Sequence, residues 1–327
     1  DFMRVPLPAA MMTTFSAMSN AFDRCRAVAQ RAAIIGGLTL ATLLGLAGCS
    51  ALRVAYNTGP TLAWWWLDGY MDFSSEQTPQ VKASIERWFA WHRQTQVPVY
   101  IALLASAEPH ATAPLTPAAT CQWYGRIMDA LAPALARAVE QAADVLPGIG
   151  EEQLRHLEQR YVKVLDEMRR EYLQPDKEER LAADVKRALD RAQQVYGRLD
   201  EPQRKVISEA VAASPFDAEA WMQERKRRQR DTLATARRLL AEKASREQRI
   251  AALAALAERS QHSPDPAYRA YQVKLTDYNC AFVARLHNAA TPAQRLHAKA
   301  TLKGWEDDLR AVLNGAATAV DPSRATN

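Results

Sequence analysis

Glycine is scarce in this 327-residue chain, with twelve in all and only eight after Cys49. Sustained period-two alternation rich in β-branched residues is missing as well, so no segment reads as a sheet strand. Scarce glycine beside abundant alanine suits helices. Other absences bound the chemistry. There is no His-Glu-x-x-His, Cys-x-x-Cys, Gly-x-Ser-x-Gly or glycine-rich phosphate loop, the local marks of zinc peptidases, redox dithiols, serine hydrolases and nucleotide cradles. The six histidines are scattered: His287 and His297 flank a turn, and Glu152 with His156 is a lone i,i+4 pair, too few ligands for a metal. The carboxylate pairs Glu151-Glu152, Glu178-Glu179 and Asp307-Asp308 lie near helix starts or on polar faces, where they serve the helix dipole or water. No catalytic residue, metal or cofactor is therefore expected. A strong charge of one sign is also lacking. The chain carries +5, and +3 without its first 48 residues, which argues against nucleic acid as a partner.

One long apolar run stands out, residues 32–46, preceded by Arg24, Arg26 and Arg31. It is short for a membrane span and has the length of a signal core. Leu46-Ala47-Gly48-Cys49-Ser50 follows, and it resembles the lipobox of bacterial lipoproteins. The resemblance implies cleavage before Cys49 and acylation of its sulfur with a palmitate-like chain. It further implies bilayer attachment at about 0.8 kcal/mol per buried CH₂, with no spanning helix. A membrane anchor with an incidental cysteine is the alternative. Ser50, in place of aspartate, favours the outer membrane, with the protein on its periplasmic face. Residues 1–17 read as an extension of the start, and Met18 begins a signal of ordinary length.

Four cysteines are present. Cys25 leaves with the signal and Cys49 carries lipid, so Cys121 and Cys280 remain. An oxidising periplasm permits a disulfide between them; two buried free thiols are the other reading, and spacing alone does not decide.

The fold class expected is all-α, a multi-helix bundle or irregular array of amphipathic helices behind a lipoprotein signal. The boundaries are 1–48 for extension and signal, 49–60 for a lipidated tether, 61–314 for the helical domain and 315–327 for a disordered tail. A sub-boundary falls near 108–117 or 147–150. Trp64-Trp65-Trp66-Leu67-Asp68-Gly69-Tyr70 is the most unusual stretch, because consecutive indoles on a helix point in three directions and cannot share one core. At least one meets solvent, headgroups or a partner, unless another layer covers it. Ser74 to Thr78-Pro79 starts a helix whose apolar stripe, Val81, Ile85, Trp88 and Phe89, ends in His92, and Pro98 closes it. Pro133 kinks or divides the helix 121–146. Leu154, Leu157, Tyr161, Leu165, Met168 and Tyr172 form an amphipathic stripe.

Four helix starts share one pattern, a capping residue three before a glutamine, in Gly150-x-x-Gln153, Asp200-x-x-Gln203, Ser245-x-x-Gln248 and Thr291-x-x-Gln294. They read as recurring caps in an all-helical protein or as repeated helical hairpins. Arg225, Lys226, Arg227, Arg228, Arg230, Arg237 and Arg238 cover most of one helix circumference, which suits a solvated helix; contact with lipopolysaccharide phosphates is the functional version.

From Cys49 to Tyr100 the chain resembles a family of uncharacterised proteobacterial helical lipoproteins. The likeness is carried by Cys49 to Asn57, Trp65-Trp66-Leu67-Asp68-Gly69-Tyr70, Phe73, Gln77, Trp91-His92-Arg93-Gln94 and Pro98-x-Tyr100. It continues through Gly197-Arg198-Leu199-x-x-x-Gln203. It implies an envelope lipoprotein with no assigned activity. The Leu-x-x-x-Gln helix starts are also similar to the Leu-Thr-x-x-Gln signature of small periplasmic chaperones. The function expected is a non-enzymatic binding, chaperone-like or accessory module. Its partners are the membrane, through the lipid, and an envelope client or subunit. The partner-binding candidates are Trp64, Trp65, Trp66, Asp68, Tyr70, Trp91, His92 and Arg93. Two alternatives stand beside it: a structural lipoprotein on lipopolysaccharide or cell wall, and an envelope hydrolase built on Asp68, Asp72 or His92.

Overall fold

The computed structural model describes residues 51–315. The signal, Cys49 and the 316–327 tail lie outside the described residues. These form eleven α-helices and no strand, the all-α class the composition predicts. In order they are α1 (Ala51–Met71), α2 (Thr78–Thr95), α3 (Val97–Ala107), α4 (Pro117–Val145), α5 (Glu151–Tyr172), α6 (Lys177–Tyr196), α7 (Glu201–Ala212), α8 (Ala218–Ala241), α9 (Arg246–Gln261), α10 (Pro266–Ala289) and α11 (Pro292–Gly315). Short 3-10 turns at Glu108–Thr112 and Leu146–Gly148 flank α4. Thr116, Asp176, Asp200, Asp217, Ser245 and Asp265 each accept a hydrogen bond from the first turn they cap, which satisfies donors the helix itself cannot.

The structure corrects one expectation and narrows another. Residues 51–60, expected as a tether, are the first half of α1. Tyr56 packs edge-on to Phe89 of α2 at 5.7 Å, and its hydroxyl lies 2.9 Å from His92 Nδ1. Gly59 permits this approach, since a Cβ there would stand 2.6 Å from the Phe89 ring. Pro133, expected to kink or divide its helix, does not divide α4, which runs unbroken for 29 residues. Pro133 and Asp129 are both exposed, so the carbonyl freed by the missing N–H meets water.

Two apolar clusters hold the array. Leu146, Ile149, Leu154, Leu157, Leu233, Ala236, Leu239 and Ala244 join α5 and the turn before it to α8 and the loop after it, with Tyr70 and Phe73 packed against them. Ala188, Ala192, Leu199, Ile207, Ala210, Phe282 and Leu286 join α6, α7 and α10. The long α4 runs beside α2, α9 and α10, and α11 returns to α1, α3 and α6. Contacts therefore cross both expected sub-boundaries. A disulfide joins Cys121 of α4 to Cys280 of α10, their Cα atoms 5.4 Å apart.

The glutamine helix starts meet in pairs. Gln203 donates to Gln294 Oε1 at 2.6 Å and Gln294 donates back to Gln203 Oε1 at 2.9 Å. Gln203 also donates to Ala289 O, and Gln294 to Arg198 O, each carbonyl two residues before the partner's capping residue. Gln77 and Gln153 repeat the arrangement: their amides bond reciprocally, with Gly148 O and Asp72 O as the outer acceptors. Each glutamine oxygen also accepts its own capping residue's N–H, from Ser74, Gly150, Asp200 and Thr291. Ser245 and Gln248 form a fifth box without a glutamine opposite among the described residues.

Candidate functional site

Successive residues on α1 lie about 100° apart around the helix, so the three indoles separate. Trp64 turns to α2, stacked on Phe73 at 5.7 Å with the Lys82 ammonium 4.8 Å over its ring. Trp66 leans on Tyr70 at 4.8 Å. Trp65 is left outward, 64% exposed. Asp68 spends an oxygen on the Phe73 N–H at 3.2 Å. That bond closes the turn in which Asp72 takes a left-handed φ of 51°.

Trp91, His92 and Arg93 do not join this group. They lie along α2 opposite Tyr56, about 21 Å up α1 from Tyr70 at 1.5 Å per residue. His92 is buried, stacked on Trp88 at 4.6 Å, and burial lowers its pKa to about 4. Arg93 sits 5.3 Å over the Tyr56 ring, and Arg137 5.9 Å over Trp91. Asp68, Asp72 and His92 therefore do not converge on one cleft.

What the fold assembles around Trp66 and Tyr70 is a strip of alternating aromatics and arginines across α1, α5, α6 and α8. The Arg160 guanidinium stands 5.4 Å over the Tyr70 ring, and Tyr161 meets Tyr70 at 6.3 Å. From α8, Arg225 lies 5.8 Å over the Trp221 ring. Trp221 meets Tyr172 edge-on at 5.3 Å, and Arg187 covers Tyr172 at 4.6 Å. Beyond them opens a cavity of about 120 Å³ lined by Tyr172, Arg187, Arg191, Phe216, Trp221 and Asn279, among others. Burial dominates the electrostatics. It raises Tyr70, although Arg160 and Arg225 pull the other way, pushes Tyr161 up to about 12, and lowers Arg225. Such a surface can stack flat apolar groups and hold anions. Asp184 lines the cavity as well and pairs with Arg187.

Arg160, Tyr161, Tyr172, Trp221 and Arg225 were not legible as site residues. Tyr161 and Tyr172 belong to a helical stripe that reads as core, and Arg225 to a charge run that reads as solvated. The spacing Trp221-x-x-x-Arg225, one helix turn, is the signal that could have singled out the last pair.

A family model described as "Family of unknown function (DUF6279)" matches residues 69–269. The chain belongs to this family. The DUF6279 match starts at Gly69, so it takes in Tyr70, Arg160, Tyr161, Tyr172, Trp221 and Arg225, while Trp64, Trp65, Trp66 and Asp68 stand just before it. No curated protein and no solved structure matches the chain. Among the described residues no three His, Cys, Asp or Glu side chains gather as metal ligands, and no helix is long and apolar enough to cross a membrane.

Proposed function

We propose that this protein is a non-enzymatic binding module of the cell envelope, chaperone-like or accessory to a larger assembly. It is held by an acyl chain on Cys49 to the periplasmic face of the outer membrane. The observation that carries the binding role is Trp65, a large indole 64% exposed on α1. A bare indole with its N–H in water is suited to a partner surface. Two further features support the reading. Helix α1 begins two residues after Cys49, so an anchor there would tie the helical domain to the bilayer through α1. The paired glutamine caps resemble the Leu-Thr-x-x-Gln starts of periplasmic chaperones, as in Leu199-Asp200-x-x-Gln203.

The alternatives have less behind them. Arg227 and Arg228 pair with Glu224, Arg237 with Glu151 and Glu158, and Arg238 with Glu242. Most of the basic run on α8 is thus met within the chain, which leaves less charge for lipopolysaccharide. Asp68 spends a carboxylate oxygen on the Phe73 N–H and lies well away from His92 along α1 and α2, which weakens the hydrolase reading.

The test is suppression of aggregation of a denatured outer-membrane protein by the chain and by Trp65→Ala. Suppression that falls several-fold in the variant supports a client surface at Trp65. Equal suppression by both, or none by either, removes it. Labelling with radioactive palmitate checks the anchor separately: incorporation must vanish in Cys49→Ala.

A further inference from the structure

Helices α5, α6, α7, α8 and α10 close around the cavity of about 120 Å³, and its lining divides by burial. The floor is Ala188, Ala210, Leu275, Asn279 and Phe282, none more than 8% exposed. Arg187 and Asp184 keep 23% and 17% of their side chains in solvent, and Arg191 is exposed. The charged end therefore faces water and the apolar end the interior. Helical spacing produces the division. Asp184, Arg187 and Arg191 share one face of α6 at steps of three and four, and Leu275, Asn279 and Phe282 share one face of α10.

The apolar floor does not account for Asn279. Its side chain is buried, borders the cavity and makes no hydrogen bond among the described residues. An unpaired buried amide costs stability, and here its donor and acceptor are open to an occupant. At the charged end Arg187 pairs with Asp184 and lies 4.6 Å over the Tyr172 ring, while its buried Nε has no partner. With Arg191 the lining carries two positive charges against one negative, and Arg225, 5.8 Å over the Trp221 ring, adds a further positive charge. Between the ends stands the Trp221 indole, braced by Tyr172 at 5.3 Å and Phe216 at 6.2 Å.

We infer that this cavity binds a small aromatic carboxylate. A cavity on the order of 150 Å³ takes up one benzene ring, so this one has room for a single flat ring and little beyond. The ring lies against Trp221 and Phe282, the carboxylate turns to Arg187 and Arg191, and a polar ring substituent such as a hydroxyl meets the Asn279 amide. Guanidinium forks match carboxylate oxygens, and the net positive lining selects an anion over an amine of the same shape. This site goes beyond the client-binding reading, and its test uses neither a client nor an acyl chain.

The test is isothermal titration of the full chain carrying Cys49→Ala with benzoate, 4-hydroxybenzoate and benzylamine. Both carboxylates should bind at a single site, the hydroxyl should tighten binding several-fold, and benzylamine should not bind. In Arg187→Met both carboxylates should bind about tenfold more weakly, the loss expected for one charge-assisted hydrogen bond. Should that variant fail to fold, because Asp184 loses its pair, Arg191→Met serves in its place with the same weakening expected. In Asn279→Leu the preference for the hydroxylated ring should disappear. The thermal midpoint of that variant without ligand should be no lower than the parent's, because an unpaired buried amide has been removed. The proposal is overturned if neither carboxylate binds, if benzylamine binds as well as benzoate, or if both affinities are indifferent to the substitutions.

Discussion

Two histidines each meet a tyrosine hydroxyl at 2.9 Å, His92 with Tyr56 and His287 with Tyr196. His287 gives its other nitrogen to Ala113 O, also at 2.9 Å, whereas His92 Nε2 has no partner. Burial lowers both pKa values, His92 from 6.5 to about 4. The folded state therefore resists the proton that the unfolded chain accepts. Stability should be full above pH 6.5 and fall as pH drops toward 4, with His92 accounting for about 3 kcal/mol of the loss. Urea unfolding at pH 7 and at pH 4.5, in the parent and in His92→Phe, checks this. The difference between the two pH values must shrink by about 2 kcal/mol or more in the variant, and an unchanged difference assigns the acid sensitivity elsewhere. The indoles offer a second contrast at this scale. Trp65→Ala should change stability by no more than about 0.5 kcal/mol, as exposed substitutions do. Trp64→Ala should cost about 2 kcal/mol, because it strips the stack on Phe73. Chemical denaturation of the two variants separates them, and a large loss from Trp65→Ala would count against its role as a free surface.

Among elements, the unit of construction is the paired helix start. Each of Gln77, Gln153, Gln203 and Gln294 uses its oxygen on its own cap and on the opposite amide, and its nitrogen on the opposite amide and the opposite loop carbonyl. Every donor and acceptor of the four amides is thereby used. Removing one member strands its partner, and this asymmetry predicts strong coupling. Gln203→Leu and Gln294→Leu should each cost about 3 kcal/mol, while the double variant costs well under the sum. Gln248→Leu, which has a cap but no opposite glutamine, should cost about 1 kcal/mol. A double-mutant cycle on unfolding free energies measures the coupling, and simple additivity would mean that the pair does not act as a unit. Capping chemistry was legible residue by residue, since each box needs only a four-residue window. Which boxes face each other was not, because Gln77 meets a partner 76 positions away and Gln203 one 91 away.

For the molecule as a whole, closure comes from α11 returning to α1 and α3 and from the bridge between Cys121 and Cys280, which spans 159 positions. A crosslink that long removes unfolded-state entropy worth about 5 kcal/mol. Reductant should lower the urea midpoint by a corresponding amount, and Cys121→Ser with Cys280→Ser should reproduce the reduced protein. A midpoint indifferent to reductant would show that the bridge does not close in solution.

The all-α class, the helix starts, the divergence of the three indoles and the pairing potential of two cysteines follow from the residues themselves. Local physics suffices for them: glycine and alanine content, side-chain caps, and the 100° step between neighbours on a helix. Tertiary structure alone decided that residues 51–60 pack as helix, since Tyr56 needs Phe89 and His92 to rest on. It also decided the fate of the basic run: carboxylates of α5, of α8 and of its C-cap meet Arg227, Arg228, Arg237 and Arg238, while Arg225, Lys226 and Arg230 make no ion pair among the described residues. A charge counted along the chain carries no information about which opposite charge lies across the next helix. That is set by packing between α1, α5 and α8, and with it the position of the candidate site.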